Sequence, residues 1–207
     1  MKEKYDVVII GAGPAGIFAA LEIINLNKNL SVLIIDKGRS IEKRKCPARV
    51  NGKCINCNPC GITSGWSGAG AFSDGKLSLS PEVGGRLLEY FSEDECMELI
   101  KYCDDIYLNF GANKTVYGLN NEKIDKIKYE ASKYNIRLIE CPVRHLGTEL
   151  AYEVLKKMYH YILNDTNIEF SELTEVEDIL VEDNVAAGVL VKNKQGQKRI
   201  SAKYVIV

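Results

Sequence analysis

The stretch "YDVVIIGAGPAGIFAALEIINL", Tyr5 to Leu26, decides the fold. It opens with a short, unbroken apolar run rich in Val and Ile, the pattern of a parallel strand covered on both faces. It closes with a helical stretch, from Pro14 to about Leu26, whose Ala, Ile, Phe and Leu side chains suit packing on a sheet. Between them Gly11, Gly13 and Gly16 keep the G-x-G-x-x-G spacing. Gly11 permits a tight turn, Gly13 lets a diphosphate approach the backbone, and Gly16 lets the helix lie close to the strand. Pro14 and Ala15 open the helix. Proline has no N–H to leave unpaired there, and the free amides and positive dipole end then face the phosphates.

A second strand, "SVLIID", ends at Asp36, 20 residues beyond Gly16 and next to Lys37. An acid at that place accepts hydrogen bonds from ribose hydroxyls. Strand, glycine turn, helix, second strand and terminal acid in this order predict a nucleotide-binding βαβ unit. A membrane or export reading of the same stretch fails, because Asp6, the "GAGP" turn and Glu22 would be costly in a bilayer. The compartment expected is the cytoplasm, where seven cysteines point to free thiols, metal ligands or redox chemistry rather than a disulfide framework. A net charge of -1 provides no field for nucleic acid or an acidic membrane, so small-molecule partners are expected.

Further along, "SGWSGAGAFSDGKL" and "CPVRHLGTE" join "GAGPAG" as distinctive motifs. In combination they resemble the uncharacterised FAD-dependent dehydrogenases, which belong to the glutathione-reductase-type flavoproteins. The resemblance implies FAD in the N-terminal site, with NAD(P)H as an electron partner. It also implies that Ser67, Gly68, Ala69, Gly70 and Ser73 lie along the cofactor. Small residues there allow main-chain amides to reach the polar edge of a flavin. By the same resemblance Arg144, His145 and Thr148 line the flavin or substrate side, and Glu175 and Val176 bracket the adenine. His145 and Lys76 are the catalytic candidates: His145 for proton transfer or for packing, Lys76 as a polar contact near the flavin or a solvated turn residue. His160 reads as structural.

The expected fold is α/β, a Rossmann-like FAD-binding domain whose parallel sheet carries an antiparallel β-meander, interrupted by a mainly helical substrate region. Residues 1–80 form its first part, 81–145 the inserted region and 146–207 the second part. In the insertion "NIRLIEC" reads as a strand, and Cys96 and Cys103 read as helix residues facing a core. The meander's turns are marked by "EDN" and "KNKQG", and "KYVIV" is the expected fourth parallel strand. The chain ends inside that apolar run, which suggests the front part of a longer protein.

The stretch "KCINCNPCG" leaves three alternatives open. Cys54, Cys57 and Cys60, with Cys46, have spacings compatible with an iron-sulfur or zinc site. The other two readings are a dithiol working with the flavin, although the x2 and x5 spacings differ from the C-x4-C of disulfide reductases, and loop thiols without a redox role. The function expected is an FAD-dependent oxidoreductase passing hydride or electrons between flavin and a small molecule. The rival readings are a flavin-linked dithiol reductase using Cys54, Cys57 or Cys60, and a non-enzymatic nucleotide- or metal-binding module.

Overall fold

The computed structural model describes residues 1–164 and 166–207. The elements run β1 (Lys4–Ile10), α1 (Pro14–Asn27), β2 (Val32–Ile35), α2 (Pro47–Asn51), β3 (Lys76–Ser78), α3 (Glu93–Asn109), α4 (Asn121–Ser132), β4 (Val143–His145), α5 (Gly147–Leu163), β5 (Ile168–Ser171), β6 (Glu175–Glu182), β7 (Val185–Asn193) and β8 (Gly196–Ile206). They form two compact units, Met1–Phe72 with Leu155–Val207, and Ser73–Val154.

The first unit is built on a six-stranded sheet in the order β5-β2-β1-β8-β7-β6. β5, β2, β1 and β8 pair in parallel, while β8, β7 and β6 pair antiparallel. All four residues of β2 are buried, as a strand covered on both faces requires. On one face Ile9, Ile34 and Phe170 lie in register across β1, β2 and β5. There the indole of Trp66 meets the rings of Tyr159 and Phe170 edge-on at 4.9 and 5.4 Å. Tyr5, Val8, Leu33 and Ile35 cluster instead with Val189, Val191, Ile200 and Ala202 of the meander.

The meander differs from the sequence reading in one respect. "KYVIV" lies in the fourth parallel strand, as expected, but that strand is not separate from the meander: β8 is continuous, its first half paired with β7 and its second half with β1. No residue between the halves demands a turn, so one strand serves both ladders. The expected turns are present. Asp183 and Asn184 both take positive φ (49° and 66°), the pairing of a two-residue hairpin turn that suits Asn and Asp.

In the second unit, Ser92 and Glu95 form a reciprocal capping box that starts α3, and Asn120 caps α4. Two expectations fail here. "NIRLIEC" makes no strand, and β4 begins only at Val143, because Leu77 and Ser78 of β3 offer pairing partners to Arg144 and Val143 and, among the described residues, no strand lies alongside those before them. Cys96 is buried, whereas Cys103 is exposed although seven positions nearly repeat a helix face: burial also requires cover at that turn of the helix, which a shared face does not ensure. Arg144 is a buried polar tie of this unit. Its guanidinium is buried and donates to both carboxylate oxygens of Asp104 at 2.6 Å and to the Asn113 carbonyl at 2.7 Å. The carboxylate partner is therefore essential once the arginine is inside. We expect Asp104→Ala to destabilise the chain by about 3 to 5 kcal/mol in denaturant titration, with much of the loss recovered when Arg144 is replaced by Leu as well.

Candidate functional site

The site in the first unit is assembled at the carboxyl ends of β1 and β2. Gly11 takes φ +97°, and its amide donates to the Ile35 carbonyl at 2.7 Å. A Cβ on Gly16 would stand 2.1 Å from the Gly11 carbonyl oxygen and 3.2 Å from Ile9 Cγ2. Only glycine allows this approach, which fixes the start of α1 against β1. Gly13 is different. It is the N-cap of α1, with ordinary φ (-73°) and no side-chain cap, and a Cβ there would meet nothing within 4 Å. Open space therefore lies over Gly13, Pro14 and Ala15, in front of the first amides of a 14-residue helix.

Asp36 ties the loop to β2. Its Oδ2 accepts from the Ala12 amide at 2.9 Å and its Oδ1 from the Gly38 amide at 2.7 Å. A carboxylate offers about four acceptor sites, so two remain for a ribose. Beside it is a cavity of about 310 Å³ lined by Gly11, Asp36, Lys37, Thr174, Glu175 and Val176, together with Thr63 and Ser64. The sequence reading missed Thr63, Ser64 and Thr174, which are separated in the chain and carry no motif.

The second glycine segment returns to the first. The Ser67 amide donates to the Ala12 carbonyl at 2.6 Å, and a Cβ on Gly68 would sit 3.9 Å from Gly13 Cα. Ser67 takes φ +68°, unusual for a residue with a side chain, and its buried Oγ has no hydrogen-bond partner among the described residues. From Gly68 a short 3-10 turn runs to Phe72, presenting Ala69 and Gly70 on its exposed side. The segment is held from below by Arg44, which sequence reasoning also missed. Its buried guanidinium donates to the carbonyls of Gly61, Ile62, Trp66 and Gly68 and stacks 4.8 Å from the Phe72 ring. Burial pushes its pKa down from the usual arginine range, while Asp36 and Cys60 act in the other direction.

Ser73, Lys76, His145 and Thr148 belong to the second unit. Lys76 and His145 are register partners across β3 and β4. Lys76 Nζ lies 2.8 Å from Asp74 Oδ2, and this contact, with a smaller contribution from His145, holds the Asp74 carboxyl below its usual range. His145 and Thr148 are exposed, whereas the Arg144 side chain is turned inward to Asp104. His160, in the first unit, lies 3.5 Å from Glu42, which also meets Lys156 at 2.9 Å. A cavity of about 800 Å³ in the second unit is lined in part by Leu79, Pro81, Met97, Ile136, Arg137 and Leu138.

The four cysteines line one cavity of about 240 Å³. Among the described residues, however, no three His, Cys, Asp or Glu side chains are grouped so that they could hold a metal ion. The chain path separates them. Cys46 caps α2, the left-handed Gly52 turns the chain out of it, and Cys54, Cys57 and Cys60 follow on an exposed loop. Cys54 Sγ lies 3.6 Å from Asn56 Oδ1, and the Cys60 sulfur accepts from the Ile62 and Thr63 amides. The iron-sulfur or zinc reading does not fit this arrangement.

The fold and the first unit's site define an FAD-binding α/β domain, and residues 6–44 match the FAD binding domain family. Over 100 residues the chain is 37% identical to digeranylgeranylglycerophospholipid reductase of Methanosarcina mazei, covering 45% of this chain and 24% of that protein. A tRNA uridine 5-carboxymethylaminomethyl modification enzyme of Ureaplasma urealyticum is 26% identical over 205 residues, 99% of this chain and 24% of its own length. The chain thus spans about a quarter of the length of these relatives. Among solved structures, E. coli quinol fumarate reductase superposes with a TM-score of 0.58 at 15% identity, over 98% of this chain and 32% of that one. The 3-ketosteroid-delta4-(5alpha)-dehydrogenase of Rhodococcus jostii gives 0.57 at 15% identity, over 99% and 46%. These two share the fold. Among the described residues no helix is long and apolar enough to cross a membrane.

The two glycines predict opposite outcomes. Gly13→Ala should fold with an unchanged melting temperature, because its Cβ meets nothing, yet lose FAD affinity in a titration followed by flavin fluorescence. Gly16→Ala should be destabilised by about 3 kcal/mol or more in denaturant, because backbone must move to admit the methyl group.

Proposed function

We propose that this chain is the FAD-binding part of a flavin-dependent oxidoreductase that exchanges hydride or electrons with a small molecule, with NAD(P)H as the electron partner. The observation that carries the reading is the meeting of the two glycine segments over Gly13, beside the orphaned Ser67 hydroxyl. A diphosphate there would receive the amides of α1 and accept from Ser67. Such a ligand also accounts for a buried hydroxyl otherwise left without a partner.

In this reading the backbone at Gly11, Gly13, Pro14, Ala15 and Gly16 holds the diphosphate, Asp36 takes the ribose hydroxyls, and Lys37 and Val176 flank the adenosine. Ser67, Gly68, Ala69 and Gly70 present main-chain groups to the rest of the cofactor. The motif resemblance also assigns Ser73 and Thr148 to the cofactor. The flavin, when bound, supplies two-electron chemistry, and the protein contributes orientation and electrostatics. Residues 81–145 form the substrate region. Of the catalytic candidates, His145 is the proton carrier, while Lys76 is paired with Asp74. The motif resemblance to the glutathione-reductase-type flavoproteins supports this assignment, and the setting proposed with it is the cytoplasm.

The test is an absorption spectrum of the purified protein, followed by anaerobic titration with NADH and NADPH. Flavin bands that bleach on titration are expected, whereas a colourless protein that takes up no FAD overturns the reading. Asp36→Leu should weaken FAD binding by about a hundredfold, since it removes two charge-assisted acceptors along with the loop's tether. His145→Ala should retain flavin absorbance while turnover falls by about a hundredfold or more.

A further inference from the structure

The segment that leads into β4 has the composition of a strand, yet its backbone is unused. Among the described residues, the amides and carbonyls of residues 137–141 form no hydrogen bond within the chain. The ladder stops on both edges for identifiable reasons. On one edge Leu79 extends the β3 pairing by a single bond, its amide donating to the Pro142 carbonyl at 2.8 Å, and Pro81, which has no N–H, carries it no further. On the other, Tyr117 exchanges bonds with Val143, beyond which Gly118, at φ +84°, turns the chain toward α4. Ile136 and Ile139 are 62% and 48% exposed. The segment therefore leaves β-branched side chains as well as backbone in solvent, the pattern of an unpaired edge strand.

The cavity of about 800 Å³ is lined by both arms of this fork: Leu79, Pro81 and Glu82 after β3, and Ile136, Arg137 and Leu138 before β4. An apolar wall beside a free backbone edge is what an added strand requires, since the edge supplies hydrogen bonds and the wall takes alternate side chains. Charge narrows the choice of strand. Lys128 on the wall is neutralised by Glu140, whereas the carboxylates of Glu82 and Glu93 have no cationic partner among the described residues, and Arg137 is the one remaining cation of the wall. A basic side chain restores the balance. A second copy of the chain fits less well. In a symmetric antiparallel pairing, a register centred on Leu138 sets Glu140 against Ile136, and one centred on Ile139 sets it against Leu138.

We infer that this fork accepts an extended peptide, apolar and basic at alternate positions, which adds as a strand along residues 137–141. Its main chain takes up the free amides and carbonyls, its apolar side chains meet Leu79, Ile136 and Leu138, and a lysine or arginine reaches Glu82 and Glu93. The assignment concerns the second unit alone and needs no flavin, so its test stands apart from that of the cofactor site.

The experiment uses the full chain and three labelled peptides of equal length: one alternating valine with lysine, one alternating valine with glutamate, and the lysine peptide N-methylated throughout. Binding is read by fluorescence anisotropy and the site by hydrogen exchange followed by NMR. The lysine peptide should bind roughly tenfold more tightly than the glutamate peptide at low ionic strength, with the difference shrinking as salt rises. N-methylation removes the ladder's donors but keeps charge and apolar side chains, and should weaken binding by about tenfold or more. Alternate amides within residues 137–141 should exchange freely in the chain alone and slow by about tenfold or more with the lysine peptide bound. Glu82→Gln with Glu93→Gln, two exposed positions, should remove the advantage of lysine over glutamate and leave exchange in the free chain unchanged. Absence of binding, equal affinity for the methylated and parent peptides, or protection confined to other segments overturns the inference. So does protection of residues 137–141 that grows with protein concentration before any peptide is added, which would assign the edge to a second copy.

Discussion

The closeness of α1 to β1 is the constraint on which the cofactor site depends. Because the Gly11 carbonyl occupies the space that any Gly16 side chain would need, the helix begins immediately above the strand's end. Its first amides then face outward over Gly13 rather than into the sheet. Asp36 makes the arrangement rigid from the other side by accepting from Ala12 and Gly38, so one carboxylate joins the ends of β1 and β2. A single contact of backbone on backbone thereby sets where a diphosphate can lie.

Around that contact the protein places its unfavourable features. Ser67 adopts a left-handed backbone conformation and buries a hydroxyl without a partner, features that are costly unless the surroundings enforce them. Arg44 enforces them here, since four carbonyls of the 61–68 segment converge on its guanidinium. The strain is thus concentrated where a ligand would relieve it, and a buried cation maintains it. Arg144 of the second unit makes a contrasting use of burial: it is paired with Asp104 and bonded to the Asn113 carbonyl, and so stiffens its own unit.

Much of the first unit was legible in the sequence because it follows from local pattern. An apolar run, three glycines at fixed spacing and an acid one strand later specify β1, α1, β2 and Asp36 with no knowledge of distant residues. The hairpin turn at Asp183 and Asn184 was equally readable, since those side chains tolerate positive φ. The failures are of another kind. "NIRLIEC" has a strand's composition, but a strand exists only if a neighbour offers a ladder. "KYVIV" was cut from the meander because sequence does not reveal that one strand can pair in opposite senses along its length.

The amino-acid sequence by itself determined the nucleotide-binding βαβ unit and the glycines that line it, because those depend on backbone freedom and periodicity within a few residues. Tertiary structure alone decided that Arg44 supports the second glycine segment and that Thr63, Ser64 and Thr174 meet beside Asp36. Those groupings arise from the folding of long connections onto the sheet. Residues brought together in that way share no spacing from which their proximity could be read.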